Sequence, residues 1–239
     1  MLIADDSPLR RLPPELNRKQ ALFFDGIRYS IEMADLAHTR LLQILHDLAV
    51  NRDNLQRGQL PFVPAFLDAW SMVDSIHRLR GLVSQAPGIK QKSTGAQVFR
   101  TQTKVIEDLR NSVQHLNTQI HTIADQGLPV WGVLSWFFLP DSESRWGLSC
   151  ALVSGTVSPA HHSLVNPLGK NIAVPIDLIT LTAHGHSVCL SEVMRHVKLL
   201  TRGIEKALKE KFANSSQAGS DVLVFVEMAF GNTKSGEAT

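Results

Sequence analysis

Residues 130–139 read VWGVLSWFFL, and they decide the fold because the chain changes character at Pro129. Aromatic and β-branched residues dominate here and again in WGLSCALVSG at 146–155, with the polar segment PDSESR between them. Residues of these types favour strands, and a short polar connection favours antiparallel pairing. The stretch therefore predicts a β-hairpin that opens the second half of the chain.

Downstream of this hairpin the sequence predicts more sheet and one helix. The stretch 156–175 contains three prolines and a glycine and predicts an irregular connection. IDLITLTA (176–183) and SVCL (187–190) are predicted strands around a turn at HGH, and Ser191 is the predicted cap of a helix over 191–212. DVLVFVEM (221–228) is a predicted last strand. Residues 129–230 are thus predicted to form an α+β unit with a mostly antiparallel sheet, followed by a loosely ordered tail at 231–239.

Upstream, apolar residues recur at alternating spacings of three and four, which predicts long amphipathic helices. The helices are predicted over 15–49, over 64–84 and from a cap at Ser93 or Thr94 to the glycine and proline of DQGLP (125–129). Such stripes must be buried against one another, so residues 15–126 are predicted to form an up-and-down helical bundle. Residues 1–14 are predicted to be loosely ordered. The whole chain is expected to be an α+β protein with two domains.

Composition excludes few functions. The chain is 44% hydrophobic and has a formal net charge of +2, so it can build a core and its overall charge selects no partner. Cys150 and Cys189 lack the spacing of a metal-binding pair and suit a reducing compartment. The sequence shows no signal peptide and no apolar run of the roughly 20 residues that span a bilayer. We expect a cytoplasmic protein with no membrane partner.

The stretch LRNSVQHL (109–116) contains Arg110, Asn111 and His115. It resembles the motif of the HEPN superfamily, helical-bundle proteins whose ribonuclease members carry an Arg, a polar residue and a His a few positions later. The resemblance implies that Arg110, Asn111 and His115 are catalytic. It further implies that RNA is cleaved without a metal or other cofactor, at a site that a homodimer assembles across its two-fold axis.

The residue types suit this chemistry. An imidazole can move the proton of a ribose 2′-hydroxyl, and a guanidinium can hold the scissile phosphate. The alternative interpretation is a pair of solvated polar residues on an ordinary helix, since Arg40 and His46 show a similar spacing. Five steps of about 100° place Arg110 and His115 roughly 140° apart, so they would flank the buried stripe rather than share a face.

A basic zone precedes the motif. No Asp or Glu occurs between Ser75 and Ile106. The candidate nucleic-acid-binding residues of this zone are Arg78, Arg80, Lys90, Lys92, Arg100 and Lys104. Clustered cations attract phosphate backbones whatever their sequence, and the alternative is a solvated surface.

A metal site is not expected. The nearest candidates are donors around the HGH turn, namely His184, His186, Cys189 and His196, with His161 and His162 nearby in sequence. They show no recognised ligand spacing.

Two functional hypotheses follow. The first is an RNA-binding protein with a candidate metal-independent endoribonuclease site, of the toxin or defence-effector type, which a regulatory protein partner could control. The second is a non-catalytic interaction protein, with the bundle as a dimerisation scaffold and the sheet as a recognition surface.

Overall fold

The computed structural model describes residues 1–54, 60–89, 94–155, 164–215 and 221–228 and has an α+β fold. The helices and strands of these residues are α1 (Arg18–Val50), α2 (Phe62–Gln85), α3 (Thr94–Gln102), α4 (Lys104–Gln114), α5 (Leu116–Asp125), β1 (Val133–Phe138), β2 (Leu148–Val153), β3 (Ile176–Ala183), β4 (His186–Cys189) and α6 (Leu190–Lys211). The predicted order of helices followed by strands and a helix is confirmed up to α6.

Helix α1 starts at a capping box and is held by its apolar stripe. The Asn17 side chain accepts from the Gln20 backbone N–H, and the Gln20 side chain accepts from the Asn17 backbone N–H. Fully buried stripe residues, Ile27, Ile31, Leu41 and Leu45, face the core, and α1 packs along α2. Burial of this stripe therefore fixes the first helix pair.

The predicted third helix is instead three helices, α3 to α5. The first break is at Thr103, where the Arg80 guanidinium of α2 donates to the Arg100 carbonyl at 2.5 Å and to Thr103 Oγ1 at 2.6 Å. A carbonyl occupied by a side chain from another helix is a weaker acceptor for its own helix. The second break is at His115 (φ −102°, ψ 20°), so the predicted mid-helix position of His115 is wrong.

The second half forms a four-stranded sheet in the order β2-β1-β3-β4, with antiparallel neighbours. The predicted hairpin is confirmed, and Trp136 lies opposite Cys150 in its register. β1 and β3 form the centre of the sheet, with Leu134 opposite Leu181. The turn at HGH also pairs β3 with β4 as predicted.

Helix α6 joins the sheet to the helices. It packs against β3 and also against α3 and α1, while α4 contacts β4. One cluster of buried apolar side chains contains residues from both halves of the chain, such as Ile31 and Leu45 of α1 with Leu181 of β3 and Val197 of α6. The sheet and the helices therefore share a hydrophobic core.

Three local predictions are corrected. Residues 1–14 are not loosely ordered, because Ile3 and Leu9 are fully buried in the core. Helix α6 begins at Leu190 with Cys189 as its N-cap, two residues before the predicted cap Ser191, and Ser191 Oγ instead accepts from the Ile179 N–H. Residues 221–228 form no strand, and their apolar side chains are exposed. The tail at 231–239 lies outside the described residues, and in the described part of the chain no helix is both long and apolar enough to cross a bilayer.

Candidate functional site

Helix α4 lies between α2 and β4 and presents the candidate motif on two different faces. Arg110 points towards α2, where its Nε lies 3.7 Å from Asp74 Oδ1, and its Nη1 donates to Oε1 of Gln114, one turn further along α4. Its side chain is only 28% exposed. The guanidinium is therefore engaged within the chain.

His77 of α2 accompanies Arg110 in this interhelical contact. Burial, followed by the charge of Arg110, lowers the pKa of His77. Among the described residues, His77 Nδ1 and Arg110 Nε are buried without a hydrogen-bond partner. A neutral imidazole beside a partly buried guanidinium avoids repulsion between two cations, so this side of α4 is a packed helix contact.

The opposite face of α4 carries an open pocket of about 290 Å³, lined by Asp108, Asn111, Ser112, His115 and His186. Asn111 and His115 are exposed. Lys104 precedes Asn111 by seven residues, which is about two turns of α4, so the two side chains lie near the same face of this helix. His115 follows Asn111 by four residues, at the end of α4. His115 lies at the junction of α4 and α5, where the helix axis is interrupted.

His184 lies in the β3–β4 turn and contacts Ser112 of α4. This contact holds the turn against α4, so that His186 lines the pocket. The His184 backbone has φ 51°, and Gly185 follows with φ 81°. Burial lowers the pKa of His184. In the neutral ring, Nε2–H donates to Val130 O at 3.0 Å, and Nδ1 faces Ser112 Oγ at 3.1 Å. This link spans 72 residues of sequence.

The structure does not bring Arg110 and His115 together within one protomer. They share no pocket and no hydrogen bond in the described part of the chain. His115 instead shares its pocket with His186, whose place in the sequence suggests a role only as a metal donor. The HGH turn was a usable signal, but nothing in the sequence indicated that the turn packs against α4.

The predicted basic zone is divided by the fold. Arg80 is bound to Arg100 O, Thr103 Oγ1 and Glu107, and Arg78 donates to Asp74 Oδ2 at 2.5 Å. Arg100 and Lys104 are exposed and, among the described residues, have no ion-pair partner. Lys90 and Lys92 lie outside the described residues. Among the described cations of this zone, Arg100 and Lys104 are thus both exposed and without an ion pair, whereas the exposed Arg78 is paired with Asp74.

The described residues contain no group of three or more His, Cys, Asp or Glu side chains that could hold a metal ion. His161 and His162 lie outside this part of the chain. Burial is the main cause that raises the pKa of the Cys189 thiol, which makes thiolate ligation less favourable.

No family model, no curated protein and no solved structure matches this chain.

Proposed function

We propose that this protein binds RNA along the exposed face of α4 and cleaves it without a metal ion, using His115 and His186. The observation that carries the proposal is that Asn111, His115 and His186 line one open pocket. Two imidazoles at one open site can supply both a general base and a general acid near neutral pH. Lys104, which lies near the same helix face, would attract the phosphate backbone.

The proposed reaction is an internal transfer at phosphorus. One imidazole removes the proton of the ribose 2′-hydroxyl, whose oxygen attacks the adjacent phosphorus. The other imidazolium gives its proton to the departing 5′-oxygen as the P–O5′ bond breaks. The products are a 2′,3′-cyclic phosphate and a free 5′-hydroxyl. The Asn111 amide would donate to a non-bridging phosphate oxygen.

Arg110 has a different role in this proposal from the one that the family resemblance implies. Its ion pair with Asp74 of α2 positions α4 against α2, and its bond to Gln114 lies within α4. One protomer then carries the complete site, and the reaction does not require a homodimer.

The test is cleavage of end-labelled single-stranded RNA by the purified chain in excess chelator. We expect His115→Ala and His186→Ala each to reduce the rate by about 100-fold or more, the scale of a lost general acid or base. His121→Ala is the matched control, because His121 is exposed on α5 and outside the pocket. A parent protein that cleaves nothing, or a His186→Ala variant with full activity, would contradict the proposal.

A variant of Arg110 distinguishes this single-protomer site from a site that two protomers share. A folded Arg110→Ala variant should retain cleavage if the His115–His186 pocket is the site. Loss of cleavage in Arg110→Ala, with full activity in His186→Ala, would instead favour the two-fold Arg–His site.

A second candidate function, a non-catalytic interaction protein, is favoured by the apolar segment at 222–228. Its six apolar side chains, Val222, Leu223, Val224, Phe225, Val226 and Met228, are between 73% and 85% exposed. An exposed patch of this kind marks an interaction surface. Concentration-dependent self-association in light scattering, lost in Phe225→Asp, together with no RNA cleavage, would support this function instead.

A further inference from the structure

A cleft of about 670 Å³ lies between α1, residues 173–177 and the first turns of α6. None of its lining residues belongs to the His115–His186 pocket. The cleft has polar groups on two walls and apolar side chains between them, which is the usual composition of a small-molecule site.

One wall presents a guanidinium that is fixed in place. Arg195 Nη2 donates to both carboxylate oxygens of Asp177, at 2.6 and 2.5 Å. Asp177 is 2% exposed and also accepts from the Ala173 and Leu178 backbone N–H groups. The remaining N–H groups of Arg195 have no partner among the described residues, so the orientation of the guanidinium is set before any ligand arrives.

Lys198 and Ser191 extend this wall along α6. Lys198 follows Arg195 by three residues and forms no ion pair within the described part of the chain. Ser191 is 8% exposed, and its Oγ accepts from the Ile179 N–H at 3.0 Å. The described residues provide no acceptor for the Ser191 hydroxyl proton. The N-terminal end of α6 adds a positive helix dipole at the same place.

The opposite wall of the cleft is formed by α1 and carries fewer charged side chains than the α6 wall. Burial is the main cause that lowers the pKa of His38, so this imidazole is neutral near pH 7 and offers one donor and one acceptor. Asp35 is the carboxylate of this wall, and its Oδ2 accepts from the Leu2 N–H at 2.8 Å. His46 lies further along α1, at the edge of the cleft.

The apolar surface between the walls comes from Leu42, Val174, Pro175 and Met194. Leu178, directly after Asp177, has φ 55°, a left-handed conformation that residues other than glycine rarely adopt. Strained backbone of this kind concentrates at ligand clamps and active sites. Here it accompanies the carboxylate that orients Arg195.

We propose that this cleft binds a small organic oxyanion, a carboxylate or a phosphate monoester, whose anionic head contacts Ser191, Arg195 and Lys198 and whose apolar part contacts Leu42 and Met194. A purely structural role for the Asp177–Arg195 pair would fasten β3 to α6. That structural role needs neither the ammonium of Lys198 nor the hydroxyl proton of Ser191. Variants of these two residues therefore distinguish an anion-binding cleft from a purely structural ion pair.

The test is isothermal titration of the full chain with phenyl phosphate and with benzoate, and with neutral benzyl alcohol for comparison. We expect at least one of the two anions to bind and benzyl alcohol not to bind. Tighter binding of phenyl phosphate assigns the phosphate class, and tighter binding of benzoate assigns the carboxylate class. Lys198→Ala should weaken binding about tenfold, the scale of one lost charge-assisted contact.

Lys209→Ala is the matched control, since Lys209 is an exposed lysine of α6 outside the cleft. Ser191→Ala should also weaken binding, provided that circular dichroism shows the parent fold. No binding of either anion at millimolar concentration, equal binding by Lys198→Ala and the parent, or equal binding of benzyl alcohol would overturn the proposal. These outcomes are independent of RNA cleavage, so failure here does not bear on the proposed ribonuclease.

Discussion

At the scale of single residues, Arg28 is the clearest case of a charge whose burial requires a partner. Its side chain is 2% exposed, and its Nη1 and Nη2 donate to the two oxygens of Asp221 at 2.9 and 2.6 Å. The Tyr29 hydroxyl donates to the same carboxylate at 2.8 Å. These three bonds lower the pKa of Asp221 to about 2, and they connect residue 221 to α1.

We predict that Asp221→Asn reduces the free energy of unfolding at pH 7, because it removes the carboxylate that is hydrogen-bonded to the buried guanidinium and leaves only Glu32, 3.7 Å away, as its described ion-pair partner. The folded pKa of Asp221 lies below the unfolded value of about 3.9. Its contribution is therefore complete above about pH 4 and is lost as the pH falls towards 2. Urea unfolding should show that the difference in free energy of unfolding between the parent and the variant becomes smaller as the pH falls from about 4 towards 2.

Asp53→Asn provides the control for this experiment. Asp53 is an exposed carboxylate 3.7 Å from Arg52, a geometry that contributes little to stability. Parallel pH profiles of the parent and Asp221→Asn, with no narrowing, would show that the Arg28–Asp221 contact does not form in solution.

At the scale of elements, the start of β1 depends on a close approach to β3. Gly132 has φ 87°, and a Cβ built there would meet the Thr182 carbonyl and would lie 2.8 Å from Ala183 Cβ. Only glycine allows both the left-handed backbone and this distance. The close contact between Gly132 and residues 182–183 lies directly before Val133, where the pairing of β1 with β3 begins. β1 and β3 are the two central strands, and β2 and β4 pair with them.

We expect Gly132→Ala to lower the free energy of unfolding by about 2–4 kcal/mol, from a left-handed strain of about 1–2 kcal/mol and a clash of similar cost. Gly155→Ala isolates the first of these terms, since Gly155 has φ 83° and no atom of the described residues lies within 4 Å of a Cβ built there. Chemical denaturation should therefore rank the parent above Gly155→Ala and Gly155→Ala above Gly132→Ala. Equal stability of the two variants would remove the role assigned to the close approach.

At the scale of the whole molecule, three partly buried histidines lie where helices and strands pack against one another. His77 lies between α2 and α4, His184 links the β3–β4 turn to α4, and His38 lies in the cleft between α1 and α6. Burial is the main cause that lowers the pKa of all three. Protonation of any of them would place a charge inside a contact that holds two parts of the fold together.

We predict that stability falls between pH 7 and pH 5. The unfolded chain binds protons at histidine with a pKa of about 6.5, whereas the folded chain resists protonation at these three positions, so acid favours unfolding in this window. Melting temperatures measured at half-unit steps should decline, and His77→Phe should flatten part of the slope. His121→Ala should leave the slope unchanged, and a flat profile for the parent would contradict the prediction.

The sequence by itself determined the elements whose signals are local. The three-four stripe of α1 and the aromatic runs around the β1–β2 turn fixed helix and strand, because side-chain periodicity reflects which face of one element is buried. The α+β class followed from their order. Of the three residues predicted to be catalytic, Asn111 and His115 line one pocket and Arg110 does not, so the sequence predicted only part of this arrangement.

Only the tertiary structure decided the rest, because it depends on contacts between residues distant in sequence. The helix breaks at Thr103 because Arg80 of α2 bonds across to it, and His186 reaches the pocket of His115 because His184 contacts Ser112. The same holds for the cleft, where Arg195 of α6 is oriented by Asp177 of β3. Periodicity shows which face of an element is buried but not which element covers it, so partners and pockets required the folded chain.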